Sequence, residues 1–237
     1  ILFLTRRFVS KISRFHSAEM KGWPTKDASY ILLIEIVLMV ALITMNASDH
    51  ILLHHFNPPI SSRISVLFAN LSSADLALIE RTAWWFHIVG IFAFLNYLPF
   101  SKHFHIIMAF PNTWYASLES SGKIGHMESI ANEVKMMFAP EQANPNIAPP
   151  ESFGAKDVNN LAWTSIMGAY ACTECGRCTD SCPQNQTGKK LSPRKIMMDV
   201  RDRAEELGTF QRQNPEKEND GKSLHDYISQ EELMACN

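Results

Sequence analysis

Four of the chain's five cysteines fall within eleven residues, in the run CTECGRCTDSCP. Cys172, Cys175, Cys178 and Cys182 are spaced C-x2-C-x2-C-x3-C and followed by Pro183. Thiolates are soft ligands, and four of them this close can surround an iron–sulfur cube, for which this spacing is the bacterial pattern. Gly176 lets the chain wrap closely, and tight turns aim backbone amides at the sulfurs. A zinc site usually sets its cysteine pairs apart by a longer insert, and disulfides belong to oxidising compartments.

Where two clusters are bound, the fourth cysteine of such a run serves the other one. Cys172, Cys175 and Cys178 are then expected to hold a first [4Fe-4S] cluster, and Cys182 needs partners elsewhere. Cys236, after SQEELMA, is the one other cysteine and is expected to join Cys182 on the second [4Fe-4S] cluster. Taken alone, Cys236 also reads as a buried, inert thiol.

These ligands sit in the polar half of a divided sequence. The chain has 237 residues, a formal net charge of -2 and 46% hydrophobic residues. Its mean hydropathy of -0.10 averages an apolar region before residue 110 with a polar one after it. No basic stripe of the kind that neutralises phosphates is present, which argues against a nucleic-acid partner.

Residues 29–53 are apolar over about the 20 residues that a bilayer core demands, with Asp27 or Ser29 as a cap. A second span is expected over 83–108, opening on the interfacial aromatics Trp84 and Trp85. Residues 1–8 read as the end of an earlier helix, so residues 1–110 form a transmembrane part. The segment before the first span carries Arg6, Arg7, Lys11, Arg14, Lys21 and Lys26, against Arg63 and Arg81 in the 55–82 connection. That asymmetry places the first segment and everything after about residue 110 in the cytoplasm. Two buried core helices of a soluble protein are the competing reading.

Residues 111–155, with Pro111, Pro140, Pro145, Pro149 and Pro150, read as a linker holding a short helix near 127–138. Residues 156–237 read as the metal-binding part. Helical signals return over 156–170, led by Asp157. A helix over 193–207 is capped by Ser192, carries Pro193 in its first turn and is expected to stop at Gly208. Ser229 and Glu232 form a capping box for a last helix. With an apolar start lacking Met and an end one residue past Cys236, the sequence reads as an internal piece of a longer protein, truncated at both ends and cut within the second motif.

The stretch Tyr170–Cys236, with its cysteine run and the helix QTGKKLSPRKIMMDVRDRAEELG, resembles the helical two-cluster domain found in heterodisulfide reductase and related (Fe-S) oxidoreductases. The segment WWFHIVGIFAFLNYLPFSKHFHI resembles the gamma-type cytochrome b membrane subunit of respiratory nitrate reductase. Fusions of the two occur as bacterial membrane-bound 4Fe-4S dicluster proteins. The resemblance covers about residues 30–110 and 155–237. It implies an all-α fold, a transmembrane helical bundle followed by an α-helical two-cluster ferredoxin domain.

The resemblance also implies haem b ligands on the helix over 84–108, at the matching positions His87 and His105. On an unbroken helix these lie five turns apart, about 27 Å, on one face. Pro99 would kink that helix. Such a spacing suits two stacked b haems whose second imidazoles come from an earlier helix. His103, two residues before His105, is expected to point away. The competing reading makes His87 and His105 interfacial side chains. His50, His54 and His55 read as solvated at the outer end of the first span, and Glu35 within it is a candidate proton or quinone site.

The expected activity is one-electron relay between menaquinone or another quinone, b haem, the two clusters and a cytoplasmic electron donor or acceptor. The chain would be the electron-transfer subunit of an oxidoreductase complex in the bacterial inner membrane, multi-pass, in contact with membrane lipid and with other subunits that carry substrate chemistry. A membrane-anchored ferredoxin-type protein without haem and an iron–sulfur redox sensor are the alternatives.

Overall fold

In a computed structural model, residues 1–53, 59–120, 128–147 and 154–236 are described, and every regular element among them is helical. His54 and His55 lie outside the described residues. The chain divides into two compact units. The first takes in Ile1–Phe104 together with the short segment Thr173–Gly176, and the second His105–Cys172 and the chain from Arg177 onward.

The first unit is built on α1 (Trp23–Leu53) and α2 (Ser73–Tyr97). Helix α1 begins six residues before the expected start, because Pro24 is tolerated in a first turn and Thr25 Oγ1 ties that turn to the Met20 carbonyl. Asp27 therefore lies inside α1 rather than capping it. Helix α2 begins at Ser73, ten residues early, with the Ser72 side chain accepting the Asp75 N–H at 3.2 Å. The polar residues Asp75, Glu80 and Arg81 interrupt the apolar run without interrupting the helix.

Small residues let the two helices approach, as they do between membrane helices. Ala41, Ala47 and Ser48 of α1 and Ala83 of α2 are buried. At Gly90 an added Cβ would lie 2.5 Å from Leu38 Cδ2. The outward faces stay apolar: Leu33, Val40, Leu78, Phe86, Val89 and Phe92 are all more than half exposed. The 31 residues of Trp23–Leu53 and the 28 of Ser73–Phe100 are long and apolar enough to cross a membrane.

The second expected span does not run on to residue 108. Pro99 sits in a 3-10 turn, Leu98–Phe100, after which Ser101 is extended (φ -121°). A new helix, α3 (Phe104–Trp114), follows and carries Pro111 in its interior, so the expected linker starts inside a helix.

In the second unit α4 (Glu128–Phe138) precedes α5 (Trp163–Tyr170), α6 (Arg177–Asp180), α7 (Pro183–Gln186), α8 (Pro193–Gln213) and α9 (Gln230–Met234). Helix α8 is the axis. Its Val200 and Leu207 are buried with Val158, Ala169, Leu224 and Ile228. Ser192 caps α8 by accepting the Lys195 N–H. Gly208 does not end the helix, which continues to a cap at Asn214. A helical glycine costs about 1 kcal/mol against alanine but stops nothing by itself. Ser229 and Glu232 form both hydrogen bonds of the capping box on α9.

Candidate metal centre and its supports

The cysteine run is held by short local elements. Cys172 follows α5, its N–H donating to the Ala169 carbonyl at 3.2 Å. Cys178 lies in α6, and Cys182 is the N-cap residue of α7 with Pro183 in the first turn. Between Cys172 and Cys178 the backbone is left-handed at Glu174 (φ 56°) and Gly176 (φ 76°). Glycine adopts that region freely, but a residue with a Cβ does so at about 1–2 kcal/mol.

Side-chain bonds tie the run to α8. Thr179 Oγ1 lies 3.1 Å from Ser192 Oγ and accepts the Arg194 N–H at 3.2 Å. Asn185 donates to the Leu191 carbonyl at 2.8 Å, and Gln186 to the Asp180 carbonyl at 2.6 Å.

None of the five cysteines forms a disulfide. Cys175, Cys178 and Cys236 are exposed, and Cys172 and Cys182 half-buried. Among the described residues no three His, Cys, Asp or Glu side chains converge closely enough for a single metal ion. Five thiols outside disulfides, four of them on a tightly turning loop in this spacing, are a donor set that fits iron–sulfur clusters.

Within the first unit, Glu174 takes part in a buried polar knot at one end of the α1–α2 pair. Its carboxylate, 3% exposed, receives the Lys102 ammonium at 2.7 Å. Lys102 Nζ also donates to the Pro24 carbonyl at 2.8 Å, and the Lys102 backbone N–H to Asp27 Oδ2 at 3.0 Å. The Tyr97 hydroxyl donates to the other Asp27 oxygen. Asp27 thus ties together the chain that leaves α2. Arg7 is also buried, with its guanidinium 4.9 Å from the Phe15 ring and its Nη1 without a hydrogen-bond partner among the described residues.

The histidines are arranged otherwise than on one helix. His87, on α2, places Nδ1 2.9 Å from the Leu38 carbonyl oxygen of α1. A carbonyl only accepts, so the proton of this bond is carried by Nδ1, and Nε2 is the ring nitrogen left outside it. His105 lies on α3, beyond the break at Ser101, so the two residues share no helix face. His103, expected to point away, instead meets the carboxylate of the first apolar helix: its Nε2 is 3.6 Å from Glu35 Oε1, and its ring packs against Phe94. The break resets the helical phase on which that expectation rested. Leu33, Leu38, Phe86, Gly90 and Tyr97 line an apolar groove of about 430 Å³ beside Phe94.

The second unit has its own buried ion cluster. Arg203, fully buried, donates to Asp157 at 2.6 and 3.0 Å and to Asp220 at 2.7 and 2.8 Å. Hydrogen bonds from Arg203 draw the Asp220 carboxyl down to about 2, and those to Asp157 and Asp220 push the guanidinium further up. Asp157 also caps the 3-10 turn Val158–Asn160, so one carboxylate serves a turn and a helix. In the sequence Asp157 is legible as a cap, but nothing there signals its cation, 46 residues away.

The chain is 31% identical over 86% of its length to a Bacillus subtilis protein named "probable iron-sulfur-binding oxidoreductase FadF". It is 28% identical over 57% of its length to "EtfAB:quinone oxidoreductase" of Syntrophomonas wolfei. Over 20% of its length it is 34% identical to a "probable membrane-anchored ferredoxin" of Chromohalobacter salexigens. The chain spans 26%, 16% and 7% of those three proteins, so it corresponds to a part of each. No protein-family model and no solved structure matches it.

Proposed function

We propose that this chain is the membrane-bound electron-transfer part of an iron–sulfur oxidoreductase, linking a quinone in the bilayer to a cytoplasmic redox partner. The observation that carries this reading is the C-x2-C-x2-C-x3-C-P run set between short helices in the same chain as two long apolar helices. The relatives named as an iron–sulfur-binding oxidoreductase, a quinone oxidoreductase and a membrane-anchored ferredoxin support it from three sides.

Iron–sulfur cubes and haem supply one-electron carriers when bound. The chain's own residues do the rest. Cys172, Cys175 and Cys178 hold the first cluster, while Cys182 and Cys236 contribute to the second. His87 would suit haem, because the Leu38 carbonyl engages Nδ1 and would leave Nε2 for the iron, the arrangement usual for metal-bound histidines. His105, on α3, would be a ligand for a separate b haem. The basic residues before α1 favour a cytoplasmic side of the bacterial inner membrane for the cluster-bearing part. The apolar groove lined by Leu33, Phe86, Phe94 and Tyr97 suits the ring and tail of a quinone, and His103, packed on Phe94, carries Glu35 at 3.6 Å.

Mixing reduced menaquinone analogue with the oxidised full-length protein tests the quinone link. Bleaching of cluster absorbance by the quinol, and its reversal by added quinone, is expected. Clusters that respond to dithionite but to neither quinol nor quinone would contradict it and leave an anchored ferredoxin-type protein.

A further inference from the structure

Glu174 stands one residue before a cluster ligand, yet it is the least ordinary residue of the run. Its carboxylate is buried, its backbone is left-handed without being glycine, and its partner Lys102 lies 72 residues away, just beyond the break that follows the second apolar helix. Removing two opposite charges from water and holding a Cβ-bearing residue in that region both cost stability. A glycine or asparagine would turn the same loop without burying a charge. Lys102 is itself fixed by α1, its ammonium donating to the Pro24 carbonyl and its backbone N–H to Asp27.

We propose that the Lys102–Glu174 ion pair is a positioning clamp that holds the Cys175 loop at the end of the α1–α2 pair and sets the reduction potential of the first cluster through the balance of its two charges. This rests on the reading that Cys172, Cys175 and Cys178 hold that cluster. Reduction adds negative charge, so a nearby cation favours it and a nearby anion opposes it, most strongly where water is excluded. The two residues therefore act in opposite directions on the same potential, which a purely structural pair does not do. Burial keeps both charges from being screened by solvent.

An EPR-monitored redox titration of the full-length protein tests this in wild type, K102Q, E174Q, K102Q/E174Q and K102R. The expected result is a first-cluster potential lowered in K102Q and raised in E174Q. It should return near the wild-type value in the double variant and stay there in K102R. Shifts of the same sign in both single variants, or none, overturn the proposal. If a single variant loses the cluster, the double variant and K102R decide: recovery of the cluster at the wild-type potential supports the clamp, and failure of both to recover it overturns it. A wild-type protein without any [4Fe-4S] signal defeats the cluster reading itself, and the clamp with it.

Discussion

His87 Nδ1 lies 2.9 Å from the backbone carbonyl oxygen of Leu38, across the contact between the two long apolar helices. The bond holds the ring plane with Nδ1 engaged, so on the proposed haem reading the imidazole would be oriented in advance. If two b haems are bound as proposed, substitution H87A is expected to remove about half of a reduced-minus-oxidised b-type absorbance band. An unchanged band in H87A would show that this histidine is only a helix-to-helix tie.

The Arg203 cluster should dominate the stability of the second unit. Breaking a buried, hydrogen-bonded ion pair from one side strands charge and costs about 3–5 kcal/mol. In R203A both Asp157 and Asp220 lose their cation, so denaturant unfolding followed at Trp163 should shift by that amount. K190A removes the exposed Lys190–Glu231 pair, whose side chains are 68% and 62% exposed, and should leave the transition where it is. Equal effects from the two variants would refute the assignment of stability to burial.

Acid should reveal the same cluster. Asp220 sits at about 2 in the folded chain against an ordinary 3.8. A carboxyl lowered by folding contributes stability that is fully present above its ordinary value and fades as pH falls toward the folded value. Unfolding midpoints of the wild type should therefore drop between about pH 4 and pH 2. D220N should start lower at neutral pH and drop less across that window. Parallel pH profiles for the two proteins would contradict this.

The local part of this architecture could be read from the residues. The capping box of Ser229 and Glu232, the Ser192 cap with Pro193 behind it, and the cysteine spacing each lie within a few residues, where pattern and geometry are the same thing. Gly208 misled because a glycine ends a helix only when the chain leaves in the left-handed region, and here the helix continues. Asp27 looked like a cap for its own helix but serves the chain leaving α2, 75 residues on. Neither that reach nor the pairing of Lys102 with Glu174 has a periodic signature. His103 meets Glu35, against expectation, because the 3-10 turn and the extended Ser101 reset the phase carried from His87.

Everything proposed for electron transfer through two clusters depends most on which cluster Cys182 serves. EPR of the dithionite-reduced full-length protein, compared between wild type and C182S, tests that directly. A split, spin-coupled two-cluster spectrum is predicted in the wild type, reduced in C182S to the simple signal of one [4Fe-4S] cluster because Cys172, Cys175 and Cys178 are untouched. A single uncoupled signal in the wild type, or the loss of every cluster signal in C182S, would contradict it.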